Sequence, residues 1–263
     1  MKIELKNAAG EVLCSASGEK TVNLDVKEHT YEAGDVLVFD TQQEKPMTVM
    51  VSPDETLREA ELYVTGSSFT YVIPAGEEKL RFSPNAFAGS KHLASMRIPL
   101  KEEIHYPRNL ALNPMDQHDI EGVYPHVTAT AETRGEFVFH ARNVVDGITA
   151  NQGHGEWPYM SWGVNLDPTA KMRVDFGRKI VTNLIAMRIR ADFPHDSFWT
   201  KAEVVFSDGS VLPWELKKTG EEQLLYFADK ETTFIELRNL IKSPDSSTFP
   251  ALSGLRVFGV TKE

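Results

Sequence analysis

One cysteine, Cys14, stands in the whole of this 263-residue sequence. A single thiol excludes any intramolecular disulfide, and cysteine-rich zinc sites go with it. Cationic residues are also short, 28 Lys and Arg against 38 Asp and Glu, for a formal net charge of −10. Nucleic acid and anionic membrane surfaces both demand a basic footprint, so neither is an expected partner, while neutral or cationic partners stay open. No apolar run approaches the roughly 20 residues of a membrane helix. The opening stretch MKIELKNAAGEVLC scatters charges among its apolar residues and lacks the uninterrupted core of a secretory signal. A cytoplasmic address is the expectation, although a secreted chain whose signal had been removed would read the same.

Catalytic signatures are missing as well. The sequence contains no His-Glu-x-x-His, Gly-x-Ser-x-Gly or phosphate-loop pattern. His154-Gly155-Glu156 matches the His-x-Glu of zinc deaminases, but its Pro-Cys-x-x-Cys partner cannot exist with one cysteine. A diffuse enzyme alternative remains, in which His154, Glu156, His195 and Asp196 meet to bind a metal or to act as acid and base on a polysaccharide.

What is present is β patterning. Hydrophobic residues make up 41% of the chain and aromatics 10%, enough for a real core. Val22, Leu24 and Val26 alternate with polar residues, and Met47, Val49 and Val51 keep the same period of two. Residues 1–100 therefore read as a small β-sandwich, with Ser52-Pro53-Asp54-Glu55 as the cap of a short helical turn. Between 101 and 122 the strand patterning stops, and Pro107, Pro114 and Asp116-Gln117-His118-Asp119 suggest a linker, with a long surface loop as the alternative. From 123 to 263 the alternation returns in Met172, Val174 and Phe176, in Ile185, Met187 and Ile189, in Val204 and Phe206, and in Ile235 and Leu237. Asp-Phe-Gly and Ser-Asp-Gly turns separate these strands, so the expectation is all-β, two β-sandwich domains with antiparallel sheets.

The second half carries ordered motifs: Ala141-Arg142-Asn143-Val144-Val145-Asp146-Gly147, Trp162, Asp175-Phe176-Gly177, Ser207-Asp208-Gly209 with Trp214, and Leu252-Ser253-Gly254-Leu255-Arg256-Val257-Phe258-Gly259. In this order they resemble the discoidin-like family, the coagulation factor 5/8 type C domains, which overlap family 32 carbohydrate-binding modules. The resemblance covers roughly Tyr124 to Val260. It implies a galactose-binding-like jelly roll that holds a ligand, usually a glycan, in loops at one end, with Trp162 in the core. It also implies a structural calcium with Asp146 as carboxylate ligand. Gly254 departs from the family, which has an acidic residue in that place. The alternative for Asp146-Gly147 is a turn in which the Asp side chain accepts backbone N–H bonds.

Two loops mix large aromatics with polar groups. One is Gln152-Gly153-His154-Gly155-Glu156-Trp157-Pro158-Tyr159; the other runs from Arg190 through Asp192, Phe193, His195 and Asp196 to Trp199. Sugars present C–H patches and fans of hydroxyls, which flat aromatic rings and planar or charged hydrogen-bonding groups can meet. The expected ligand-binding residues are Trp157, Tyr159, Arg190, Asp192, Phe193, His195, Trp199, His154 and Glu156, with the polar ones open to a loop-stabilising role and the aromatics to a packing one. Arg190 is expected foremost, because its rigid fork suits paired hydroxyls or a carboxylate. Non-catalytic carbohydrate binding leads. A protein interaction module, including a homo-oligomeric scaffold, is the alternative from a different class.

Overall fold

The computed structural model describes residues 1–191 and 196–262; Asp192, Phe193 and His195 of the expected site lie outside the described residues. The chain is all-β and antiparallel. In the first half, β1 (Lys2–Lys6), β2 (Val12–Ser17), β3 (Thr21–Val26), β4 (Val36–Asp40), β5 (Met47–Ser52), β6 (Ala60–Val64), β7 (Ser68–Val72) and β8 (His92–Arg97) divide between two sheets. One has the order β2-β1-β4-β7, and the other contains β6-β5-β8-β3. The period of two in the sequence fixes which side chains face inward. Val22, Leu24 and Val26 of β3 and Val49 and Val51 of β5 meet Ile3, Leu37, Phe39 and Tyr71 in one buried cluster. Full burial of such a side chain is worth about 1.5–3 kcal/mol, so the alternation selects the register.

The helical turn expected at Ser52 does not form. Asp54 takes the capping role instead, accepting the Thr56 N–H at 2.9 Å through one carboxylate oxygen and the Phe87 N–H at 2.9 Å through the other. A carboxylate that ties its own turn to a distant segment holds the backbone out of a helix.

Residues 101–122 are woven into both halves. A single α-turn, α1 (Lys101–Ile104), leads to β9 (Arg108–Asn109). Leu110 and Ala111 join the C-terminal cluster, whereas Met115 joins the N-terminal one. Gln117 acts as a surrogate strand residue: its amide nitrogen donates to the Val72 carbonyl at 2.7 Å and its amide oxygen accepts the Val72 N–H at 3.0 Å. Next come β10 (Val123–Tyr124), which pairs with β6, and β11 (His126–Ala129), which pairs with a long strand of the C-terminal half through Met172–Asp175, so the chain crosses from one sheet to the other within a few residues.

The C-terminal half adds β12 (Trp162–Gly163), β13 (Met172–Arg190), β14 (Trp199–Phe206), β15 (Val211–Glu215), β16 (Gln223–Lys242) and β17 (Ala251–Thr261). They run in the order β12-β17-β13-β16-β14-β15, with β11 on β13 and β9 on β17. Asp175-Phe176-Gly177, expected as a turn between strands, is an irregularity inside the long β13, where the pairing with β16 shifts between Asp175 and Ile180. Gly177 allows it. Its φ is +63°, its N–H donates to the Asp175 carboxylate at 2.8 Å, and an added Cβ would lie 2.2 Å from the Tyr124 ring. Ser207-Asp208-Gly209 does turn the chain, between β14 and β15. No helix among the described residues is long and apolar enough to cross a membrane.

The two halves meet along a charged seam. Glu61 accepts from Arg108 at 2.5 and 2.6 Å and from Arg178 at 2.6 Å, and Arg178 also reaches Thr48 at 2.6 Å. Burial pushes the Arg178 pKa down, and the Glu61 charge opposes that shift.

Candidate functional site

A groove of about 380 Å³ opens among the loops of the C-terminal half, where the turn after β11, the loop after β12, the end of β13 and the segment before β17 converge. Its apolar faces are Phe249 and Leu166, 53% and 61% exposed, and half-buried Phe139. Around them lie Arg134, Asn165 and Thr248. Phe249 and Leu166 thus place two exposed apolar faces at one groove.

The backbone here is held in unusual conformations. Arg134, Asn165 and Leu166 have φ of +52°, +50° and +62°, a region costly for a side chain such as leucine. Local bonds impose it. Thr133 Oγ1 accepts the Asn165 N–H at 3.1 Å, and the Arg134 N–H donates to Asn165 Oδ1 at 3.4 Å. Thr133 fits against Gly163, where a Cβ would lie 2.3 Å from its hydroxyl. On the opposite wall, Lys242 organises the loop before Phe249. Its ammonium donates to the carbonyls of Ser243, Asp245 and Ser247 at 2.7, 2.9 and 2.7 Å, so one cation gathers three dipoles that would otherwise repel.

Arg190 and His154 line this groove, each from a loop expected to bind ligand. Arg190 differs from its expected role as a presented fork. It is buried and forms a two-pronged ion pair with buried Asp196, Nε at 3.1 Å from Oδ2 and Nη2 against Oδ1. Its charge is thus largely spent inside the protein, and it supports the groove floor.

Trp199 is corrected from ligand platform to core. It is 2% exposed and packs against Trp162 with ring centroids 6.2 Å apart. Strand β14 begins at this residue, so its indole points into the sheet's buried side. Trp162 lies in the core as the resemblance implies, its indole N–H donating to the Ala131 carbonyl at 2.9 Å. Tyr159 lies over Gly153, whose Cβ would come within 2.8 Å of the ring, so it braces its own loop. Glu156 is exposed and lines neither the groove nor the cavity described next.

Trp157 goes elsewhere. Its N–H donates to the Leu80 carbonyl at 2.8 Å, and its 37% exposed indole lines a separate cavity of about 250 Å³ between the halves, together with Arg58, Arg81, Pro114 and Asp146. The two loops therefore share the groove through His154 and Arg190, while Trp157 lines a different cavity.

Asp146 does not suit calcium. Its carboxylate accepts the Ile148 N–H at 2.6 Å, the turn alternative, and Gly147 follows at φ +82°. Burial pushes its pKa up to about 7, and the positive charges nearby are Arg81 and Arg58. A divalent cation would face two guanidiniums and a carboxyl reluctant to ionise. Nor is there room for the missing acid, since a Cβ on Gly254 would already meet Thr149 at 2.9 Å. Among the described residues no cluster of three or more His, Cys, Asp or Glu side chains could hold a metal ion.

Phe249, Asn165, Leu166, Thr133, Arg134 and Thr248 were not singled out in the sequence. One signal was available. The stretch Pro244-Asp245-Ser246-Ser247-Thr248-Phe249-Pro250 is polar and turn-forming apart from a single aromatic, which has no strand to bury it.

No protein-family model and no curated protein matches the chain. Among solved structures it is similar to the family 32 carbohydrate-binding module of C. perfringens NanJ in complex with galactose, at 18% identity and a TM-score of 0.39 over 50% of this chain and 91% of that one. It is also similar to the lectin domain of lectinolysin complexed with Lewis B antigen, at 15% identity and a TM-score of 0.44 over 57% and 96%. A Streptococcus pneumoniae fucose binding module follows at 16% identity and a TM-score of 0.41 over 58% and 95%.

Proposed function

We propose that this chain is a non-catalytic carbohydrate-binding protein that holds a glycan in the groove walled by Phe249 and Leu166. One observation carries it: exposed apolar faces and hydrogen-bonding side chains share a groove large enough for a sugar residue. The C–H face of a pyranose would lie on Phe249, while Asn165, Arg134 and Thr248 meet its hydroxyls. An adjoining open depression of about 480 Å³ shares Thr248 and Phe249 and adds Lys218, Asp245 and Ser246, offering room for a second sugar residue.

Binding is favoured over hydrolysis by the carboxylates. None of the described residues lining the groove is Asp or Glu. In the depression, Asp196 is committed to Arg190, and hydrogen bonds led by Ser243 hold the Asp245 pKa below the usual range. Glycoside hydrolysis needs one carboxyl kept protonated as the general acid, and Asp245 is shifted the wrong way for that role.

A glycan array probed with wild type, Phe249→Ala and Asn165→Ala tests this function. Both variants should lose retention at least tenfold. The melting temperature of Phe249→Ala should stay within about 2 °C of wild type because the position is exposed, and that of Asn165→Ala should fall by a few degrees because Asn165 sits at positive φ and holds the Arg134 N–H. Retention that survives both substitutions would remove the groove as the site. Oligomerisation remains a separate proposal, motivated by exposed Leu224 and Tyr226 at alternate positions of β16, and size-exclusion chromatography of Tyr226→Lys tests it.

A further inference from the structure

The cavity between the two halves has its own chemistry. Trp157 supplies an indole wall at its mouth, and Arg58, Arg81 and Asp146 supply the charge. Arg81 is 4% exposed, yet its donors go to uncharged oxygens: Asn143 at 3.3 Å, the Pro114 carbonyl at 3.4 Å and the Asp116 carbonyl at 3.2 Å. Its Nε has no partner, and among the described residues no carboxylate forms an ion pair with it. Arg58 also has neither a hydrogen bond nor an ion pair among the described residues.

Arg81 is desolvated without an ion-paired carboxylate, and an anion would offset that cost, while exposed Arg58 brings a second guanidinium to the same cavity. The nearby carboxyls, Glu78 and Asp146, supply it only in part. Glu78 is committed to Arg142 at 2.9 Å, and Arg142 itself adds positive charge beside Arg81. Although the whole chain is acidic, this cavity is locally cationic. Its volume of about 250 Å³ fits one sugar ring.

We propose that this cavity is a second binding site, for a uronate sugar whose carboxylate meets Arg58 and Arg81 and whose ring lies against Trp157. A guanidinium takes a carboxylate through paired N–H donors, and an indole face takes the C–H patch of a pyranose. The site is independent of the Phe249 groove and draws on residues from both halves of the chain, so it forms only when they are docked. Asp146 tunes it. Facing Arg58 and Arg81 and with its pKa raised to about 7, it is neutral in mild acid and becomes a competing anion above neutrality.

Isothermal titration calorimetry on the full chain tests the assignment, with glucuronate and galacturonate as probes, glucose as the uncharged ring and acetate as the bare carboxylate. At pH 6 at least one uronate should bind saturably, at least tenfold more tightly than glucose or acetate, and severalfold more weakly when the pH is raised to 8. Arg58→Gln and Trp157→Ala, both at exposed positions, should each weaken uronate binding at least tenfold, whereas Phe249→Ala should leave it unchanged. Wild-type affinity in either seam variant, loss of binding in Phe249→Ala, equal binding of acetate, or no saturable heat from either uronate would each overturn the proposal.

Discussion

The backbone N–H of Trp157 donates to the carbonyl of Leu80 at 2.8 Å, which ties a loop of the C-terminal half to the N-terminal half. That bond goes with Trp157 lying at the seam rather than at the groove that His154 of the same loop lines. Arg190 stays at the end of β13 beneath the groove. Two separate cavities result where the sequence suggested one pocket.

Trp199 and Trp157 should behave oppositely on truncation. Trp199→Ala removes a fully buried indole from the core and should cost about 3–5 kcal/mol in urea unfolding. Trp157→Ala should change stability by under about 1 kcal/mol, since its ring is partly solvated and its backbone bond survives. A mild Trp199→Ala variant would mean that its ring does not pack against Trp162 as described.

Lys242→Met should loosen the loop before Phe249 without unfolding the protein. The three carbonyls gathered by the ammonium would turn to solvent, so the aromatic wall would lose its fixed position. Glycan retention should fall severalfold, while unfolding monitored by circular dichroism stays within about 1 kcal/mol of wild type. Hydrogen exchange confined to residues 243–249 would report the loosening directly.

Asp146 should make stability depend on pH in one direction. Its folded pKa of about 7 lies above its ordinary value of 3.8, so the folded state keeps a proton that the unfolded chain releases. Its contribution is then greatest below about pH 4, falls as the pH rises through about 7, and levels off beyond. Asp146→Asn keeps an oxygen for the Ile148 N–H and removes the titration. Thermal melts should show the variant more stable than wild type by a few degrees at pH 8, with the difference shrinking toward pH 4. A difference that does not change with pH would contradict the raised pKa.

Glu61→Gln should weaken the seam. One carboxylate serves Arg108 and Arg178, and all three side chains are mostly buried, so its loss leaves two guanidiniums without their counter-charge. The expected cost is about 2–3 kcal/mol, with raised salt narrowing the gap to wild type only slightly. A change below about 0.5 kcal/mol would show that the pair sits in high dielectric.

Much of the fold was legible because period-two alternation is local. Val22, Leu24 and Val26, or Met172, Val174 and Phe176, announce a strand and its buried face without reference to any neighbour. The resemblance in Trp162 and the Gly turns was legible for the same reason, since a positive φ or a core indole constrains the residue itself. Asp175-Phe176-Gly177 shows the limit: the sequence announces a kink, but only pairing with β16 on both sides makes it an irregularity within one strand.

The site was less legible, because a loop side chain is assigned by what its neighbours leave open. By itself the sequence determined an acidic, disulfide-free, all-β chain with loops rich in aromatics. Tertiary structure decided that Trp199 is core, that Arg190 is neutralised by Asp196, and that Phe249, which no alternation marked, faces the groove. Burial and ion pairing depend on residues far apart in the chain, and those distances are set only when the sheets close.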